Sequence, residues 1–260
     1  MVDDNHLQKA ADVIAQSDRL VVFTGAGMSK ESGVPTFRDA LDGLWAQHDP
    51  MKLATPQAFR QDPKLVWDWY NYRRELLSDK RPNPGHFAVA ELDDLLPQVV
   101  VVTQNIDGFH HAVGSTDVIC LHGDLKRDKC FANCRGNPTY VDVSQLTAWD
   151  TDAGPPLCPY CEEAYVRPDV VWFNESLPYH ELTRATELSR QADVMLIIGT
   201  SGVVWPAAGL TVEAKEAGAT LIEINPNPSE ITPITHHFIQ GPSGEIMPEL
   251  ARRIRELLTR

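Results

Sequence analysis

The chain has 260 residues, enough to bury one large core or one core with a substantial insertion. Its 36 acidic against 23 basic residues give a formal charge of -13, which argues against a nucleic-acid backbone or an anionic membrane surface as partner and favours basic protein segments. No apolar run approaches the roughly 20 residues of a membrane span. The opening residues, MVDDNHLQKAADVIAQ, have neither a secretion signal's apolar core nor a transit peptide's arginine-rich character, so a cytoplasmic location is expected.

In chain order, Leu7, Ala10, Ala11, Val13 and Ile14 fall at near-helical spacing and predict a first helix. Residues 20–23, Leu-Val-Val-Phe, read as a buried strand that breaks at Gly25-Ala26-Gly27. A helix starting just beyond would offer backbone N–H groups to a dinucleotide's pyrophosphate. Ordinary dehydrogenases place a third glycine where this chain has Lys30. Residues 33–39, Gly-Val-Pro-Thr-Phe-Arg-Asp, read instead as a loop closing over a cofactor. Thr55-Pro56, Asp62-Pro63 and Asn83-Pro84 are helix starts, each a capping residue before a proline suited to the first helical position. The helix over 63–79 sets Leu65, Trp69, Tyr72 and Leu76 on one face, with Val66, Tyr70, Arg73 and Leu77 on a neighbouring one.

Strands are predicted over 98–103, 117–121, 170–173, 194–198 and 220–225, with helices over 85–96, 181–191, 207–217 and 248–258. Strands alternating with helices imply an α/β fold with a mostly parallel sheet covered on both faces. Polar or glycine loops recur at strand carboxyl ends, at Gly25, Gln104, Gly199 and Asn225, which is where such sheets bind ligands. Residues 126–167 lose this periodicity and read as an inserted module. They hold Cys130, Cys134, Cys158 and Cys161, two close pairs that can surround one zinc ion tetrahedrally in a closed, structural site. Metal binding would give the module a fold that its few apolar residues could not. The fifth cysteine, Cys120, reads as a packed core thiol.

The ordered combination GAGMSKESGVPTFRD, TQNIDGFH, LHGD, two cysteine pairs, VVWFNE, GTSGVVWP and EINPN resembles the sirtuin family of NAD-dependent protein-lysine deacylases over nearly the whole chain. The resemblance implies a Rossmann-like NAD-binding domain (1–45, 98–124 and 168–260) and a smaller domain made of a helical insertion (46–97) and a zinc module (125–167). It places Gly25, Ala26, Gly27, Thr36, Phe37 and Arg38 in the cofactor loop. Gln104, Asn105, Ile106 and Asp107 fall at nicotinamide and its ribose, and Gly199, Thr200, Ser201, Asn225, Asn227 and Ser243 at the adenosine half. His122 is implied as general base, with Asn105 beside it in the reacting centre, and Val171, Trp172, Phe173 and Glu175 along the substrate. The implied products are free lysine, nicotinamide and O-acyl-ADP-ribose, and the partners acyl-lysine proteins; the sequence leaves the oligomeric state open, with a monomer expected.

Tyr70 and Arg73, three residues apart, face one side of their helix, where a phenol and a guanidinium together can bind a carboxylate. With Ala54, they resemble the sirtuin subgroup that removes succinyl, malonyl or glutaryl groups, and acetyl is expected as well. Three departures from the family stand out: a first cysteine gap of three residues, Asn174 where a glycine is usual, and Asp124 after His122-Gly123. Turned inward, Asp124 would raise the histidine's pKa. An NAD-dependent oxidoreductase would account for the glycine turn alone. A deacetylase without acidic-acyl preference, a mono-ADP-ribosyltransferase or an NAD-binding module without turnover are the remaining alternatives, and His122 argues against an inert binder.

Overall fold

A computed structural model describes residues 4–35, 50–146 and 149–259. Thr36, Phe37 and Arg38, expected in the cofactor loop, lie outside the described residues. The main sheet is parallel and contains β1 (Arg19–Thr24), β2 (Gln98–Thr103), β3 (Val118–Cys120), β6 (Val194–Ile198), β7 (Thr220–Asn225) and β8 (His237–Gln240). Its order is β3-β2-β1-β6-β7-β8, so the winding direction reverses between β1 and β6. A crevice opens at the carboxyl ends there, the usual ligand position of such sheets.

Side-chain alternation along the strands feeds two apolar layers. Leu20, Val22, Val101, Leu196 and Ile222 meet α1 (Asp4–Ala15), α5 (Pro84–Leu95) and α9 (Ser243–Leu258) on one face. Val21, Phe23, Val100, Met195 and Ile197 meet α7 (Tyr179–Gln191) and α8 (Gly209–Glu216) on the other. Both faces of β1, β2 and β6 are therefore dry, as their nearly continuous β-branched runs require. Among the described residues, no helix is long and apolar enough to cross a membrane.

The remaining elements form a second lobe. It contains α2 (Pro50–Leu53), α3 (Pro56–Gln61), α4 (Pro63–Ser78) and an antiparallel pair, β4 (Gly123–Cys130) with β5 (Val166–Val170). Thr55 Oγ1 accepts from Ala58 N at 3.1 Å and Asp62 Oδ1 from Leu65 N at 2.9 Å, so the predicted caps start α3 and α4. Asn83 and His86 close a capping box at α5. A short helix, α6 (Phe109–Ala112), follows β2.

Four local expectations change. Helix α5 lies in the predicted insertion segment yet buries Ala88, Val89 and Leu92 against the main sheet. In α4, Val66, Trp67, Trp69 and Tyr70 are buried, whereas Leu65, Tyr72 and Leu76 are exposed. That helix is held between two small cores, one taking Val66, Trp69 and Tyr70 and the other Trp67, a residue on neither of the two expected faces. The strand expected over 170–173 ends at Val170, because its partner in the ladder is Gly123, the first residue of β4. Helix α9 begins at Ser243, five residues before Pro248, so this proline sits inside the helix instead of starting it.

Candidate active site

After β1 the chain enters a 3-10 turn, Ala26–Ser32, in place of the α-helix that a dinucleotide fingerprint would open. The amides of Gly25, Gly27 and Met28 are taken by Ile198 O, Gly199 O and Gly25 O. The glycines serve close packing of two loops: a Cβ on Gly27 would lie 2.7 Å from Gly199 Cα, and one on Gly199, at φ +62°, 2.3 Å from Met28 N. The GAG turn and the GTSG loop are thus each other's steric reason.

Across the strand ends the predicted polar residues join in a chain. Gln104 Nε2 donates to Thr200 Oγ1 at 3.0 Å, and Asn225 Nδ2 donates to Thr200 O at 2.8 Å. Asn105 Nδ2 donates to Gly25 O at 3.0 Å and to Ser29 Oγ at 3.2 Å. Ser29 in turn donates to Asp107 Oδ2 at 2.7 Å, and Asp107 Oδ1 accepts Phe109 N at 2.9 Å. Burial raises the Asp107 pKa, with the Asp124 charge adding to it. With their amide nitrogens committed inward, Gln104 Oε1, Asn105 Oδ1 and Asn225 Oδ1 receive no donor from any described residue. Three open acceptors at the switch point suit a ligand rich in hydroxyl and amine donors, and NAD's two riboses, carboxamide and adenine are of that kind. Ile106 turns from this row to pack against the second lobe's core. Ser201 O accepts Glu230 N, Asn227 is exposed, and Ser243 Oγ donates to Met28 O and Glu31 Oε2 behind the turn.

His122 follows β3, and its Nδ1 lies 2.9 Å from Gln104 O. A carbonyl only accepts, so Nδ1 carries the proton and Nε2 presents a lone pair. Burial lowers the imidazole pKa below its ordinary 6.5, keeping that acceptor available at neutral pH. Asp124 does not turn toward the ring: its Oδ1 accepts Lys126 N at 2.8 Å, and the histidine's pKa is lowered, not raised. Gly123, at φ +81°, fixes the neighbouring backbone, since a Cβ there would meet Asp169 O at 1.9 Å.

The expected substrate residues gather beside it. Ala54, Tyr70 and Trp172 share one core, with the Tyr70 and Trp172 rings 6.1 Å apart and Arg73 Cζ 5.3 Å from the Tyr70 ring centre. Burial pushes the Tyr70 pKa up, while Arg73 and Trp172 pull it back. Val171 N donates to His122 O and Phe173 N to Ala54 O, both at 2.9 Å, which ties the VVWFNE segment to both lobes. Glu175 holds this segment from inside: it accepts Trp172 N at 2.8 Å and receives Arg167 at 2.5 and 3.0 Å, while Arg167 stacks 3.2 Å from the Trp172 ring centre. Asn174 stands at φ +68°, a left-handed position where asparagine is the natural substitute for glycine.

The four paired cysteines meet. Their sulfurs all lie within 4.8 Å of one another, with Cys130–Cys161 at 4.0 Å and Cys134–Cys158 at 3.9 Å. Tetrahedral zinc with Zn–S of about 2.3 Å spaces its sulfurs about 3.8 Å apart, so the cluster fits a closed structural site. The three-residue gap is accommodated by Asn133 at φ +48°. Trp67 of α4 enters the core of this module, touching Trp149 at 5.8 Å. Cys120 stays apart, its thiol pushed up to about 11 by burial.

Sequence reasoning missed the support beneath the site. His86 Nε2 lies 3.3 Å from Ser29 Oγ, and His110 Nε2 lies 3.2 Å from Thr24 Oγ1, which donates to Thr103 Oγ1 at 2.8 Å. Burial holds both imidazoles neutral, His86 at about 4 and His110 at about 3. The signal available was Ser29 within GAGMS and two histidines flanking polar loops, but their convergence depends on α5 crossing under the turn.

The Sir2 family model matches residues 25–206. An NAD-dependent protein deacylase of Pyrococcus furiosus is 45% identical over 251 residues, covering 96% of this chain and 99% of the relative. A Sir2 homologue solved as its NAD complex superposes with a TM-score of 0.86 at 43% identity, covering 96% of this chain and 94% of that one. Sir2Af2 bound to a myristoylated histone peptide superposes at 0.76 with 32% identity, covering 98% and 99%. The chain belongs to the Sir2 family and is an NAD-dependent protein deacylase. At the level of the family, it acts on acyl-lysine and releases nicotinamide and O-acyl-ADP-ribose.

Proposed function

We propose that this deacylase prefers acidic acyl groups on lysine, succinyl and malonyl foremost with glutaryl among them, and removes acetyl more slowly. The observation that carries this reading is the contrast between two consecutive arginines. Arg74 is consumed by structure, donating to Leu125 O at 2.7 Å and to Asp128 at 2.6 Å. Arg73, half-buried over Tyr70, has no carboxylate partner among the described residues. A guanidinium and a phenol beside Ala54, with no carboxylate paired to the guanidinium among the described residues, suit an acyl chain that brings its own.

In this reading His122 Nε2 accepts a ribose proton, Gln104, Asn105 and Asp107 hold the nicotinamide and its ribose, and Gly199, Thr200 and Asn225 hold the adenosine half. Wild type and Arg73→Met are compared by mass spectrometry on matched acetyl-, succinyl- and myristoyl-lysine peptides, with and without NAD. Wild type is expected to favour succinyl, and Arg73→Met to lose desuccinylation by about 10- to 100-fold while deacetylation survives. Equal loss on all peptides, or preference for myristoyl, would overturn the acidic-acyl reading and leave the deacylase chemistry standing.

A further inference from the structure

Glu223 lies on β7 two residues before Asn225, and its side chain is 0% exposed. Among the described residues no cation pairs with it; both oxygens face neutral donors. Thr232 Oγ1 is 2.6 Å from Oε2, and since that hydroxyl already accepts Ser229 N at 2.7 Å, its own proton goes to Glu223. On the other side Asn225 Nδ2 lies 3.2 Å from Oε1 and 2.8 Å from Thr200 O. Both of those neighbours are acceptors here, so the asparagine has one orientation: NH2 inward, carbonyl oxygen toward the crevice.

We propose that Glu223 is a positioning residue that selects NAD over NADP by locking the Asn225 carbonyl outward, as an acceptor for a free hydroxyl of the adenosine ribose. The inference rests on placing Asn225 at that ribose. Dehydrogenases of related architecture set a carboxylate directly against the ribose hydroxyls. Here the carboxylate sits one layer behind, and an amide carries its acceptor character to the surface. A ribose hydroxyl can donate to Asn225 Oδ1, whereas a 2′-phosphate has no proton to offer it and would meet a carbonyl oxygen backed by a buried acid.

Glu223→Leu tests this, because it removes the acceptor that Asn225 Nδ2 faces and leaves Thr200 O as the amide's one remaining inward partner. The measurements are KM for NAD, kcat at saturating acyl-lysine peptide, and inhibition by NADP and by nicotinamide. The expected result is a KM for NAD raised about tenfold, a preference for NAD over NADP narrowed by a similar factor, and kcat and nicotinamide inhibition unchanged. An unchanged KM for NAD and NADP inhibition, or a fall in kcat with KM unaltered, would overturn the proposal. If Glu223→Leu does not fold, Glu223→Asp, which withdraws the oxygen from Asn225, is read by the same quantities. Asn225→Ala separates the two levels: if it leaves KM for NAD unaltered, the placement of the ribose fails, and if only Asn225→Ala raises it, the role of Glu223 fails.

Discussion

The sheet half and the cysteine half of this molecule solve the same problem with different forces. Around β1, β2 and β6, two continuous apolar layers surround the backbone, and ion pairs such as Arg19–Asp193 lie at the surface. In the second lobe the apolar clusters are small, and buried charge fills in: Arg74–Asp128 at 2.6 Å, Lys129–Asp169 at 3.0 Å and Arg167–Glu175 at 2.5 Å, next to four converging thiols. Charge and metal there substitute for apolar area, and they also hold the loop that carries Trp172 and Phe173. The lobe that holds Tyr70, Arg73 and Trp172 is therefore the one whose stability depends on discrete contacts.

The strongest way to break this contrast is to remove the metal. Structural zinc contributes on the order of 10 kcal/mol to the modules it organises. Chelation or Cys158→Ser is expected to abolish the near-ultraviolet signal of Trp67 and Trp149 and the deacylase activity, while the sheet retains its far-ultraviolet circular dichroism. Loss of the whole structure in one step would show that the halves are not separable. Next in size is Arg167→Met, which leaves Glu175 without its cation and is expected to destabilise by about 3–5 kcal/mol, with KM for peptide rising as Trp172 loses its clamp. Chemical denaturation followed by Trp fluorescence measures it, and a change below about 1 kcal/mol would mean that the ion pair only fills space.

A third prediction sharpens the contrast from the sheet side. His86 and His110 are buried neutral, so below pH 6.5 the unfolded chain takes up protons that the folded chain refuses. Stability is complete above pH 6.5 and falls as the pH drops toward about 4 for His86 and about 3 for His110, on the order of 3 kcal/mol for the first and 5 kcal/mol for the second. Melting curves of wild type and His110→Asn across this window should converge at low pH; parallel curves would remove the histidine from the account. The smallest effect concerns catalysis. Because burial depresses the His122 pKa, kcat/KM should rise with pH and level off with its inflection below 6.5. An inflection above 7 would indicate a charged neighbour that the described residues do not provide.

Much of the candidate site was legible because its residues sit at strand ends. Gln104, Gly199 and Asn225 follow strands whose apolar runs are unmistakable, and parallel topology then carries them to one edge. The cysteine pairs were equally plain, since four thiolates at such spacing have few other physical uses. Less legible was everything that depends on two distant segments meeting. The GAG turn reads as a pyrophosphate cradle, and nothing in that reading shows that Gly27 also packs against Gly199 at van der Waals limits. Helix α4 reads as two neighbouring faces, and only the lobe's two cores show that Leu65, Tyr72 and Leu76 of the first stay exposed while Trp67, on neither, is buried.

By itself the sequence determined the strands of the sheet apart from the short edge strand β8, the helix starts at Thr55, Asp62 and Asn83, the metal site and the acceptor-rich loops. These are local matters of periodicity, capping and ligand spacing, settled within a few residues of chain. Tertiary structure alone decided the pairing of Gly123 with Val170, the neutral histidines beneath Thr24 and Ser29, the absence among the described residues of a carboxylate partner for Arg73 beside an engaged Arg74, and the orientation of Asn225 against Glu223. Each is a relation between groups whose burial and partners exist only after the chain has closed, and a hydrogen-bond donor has no direction until its acceptor is in place.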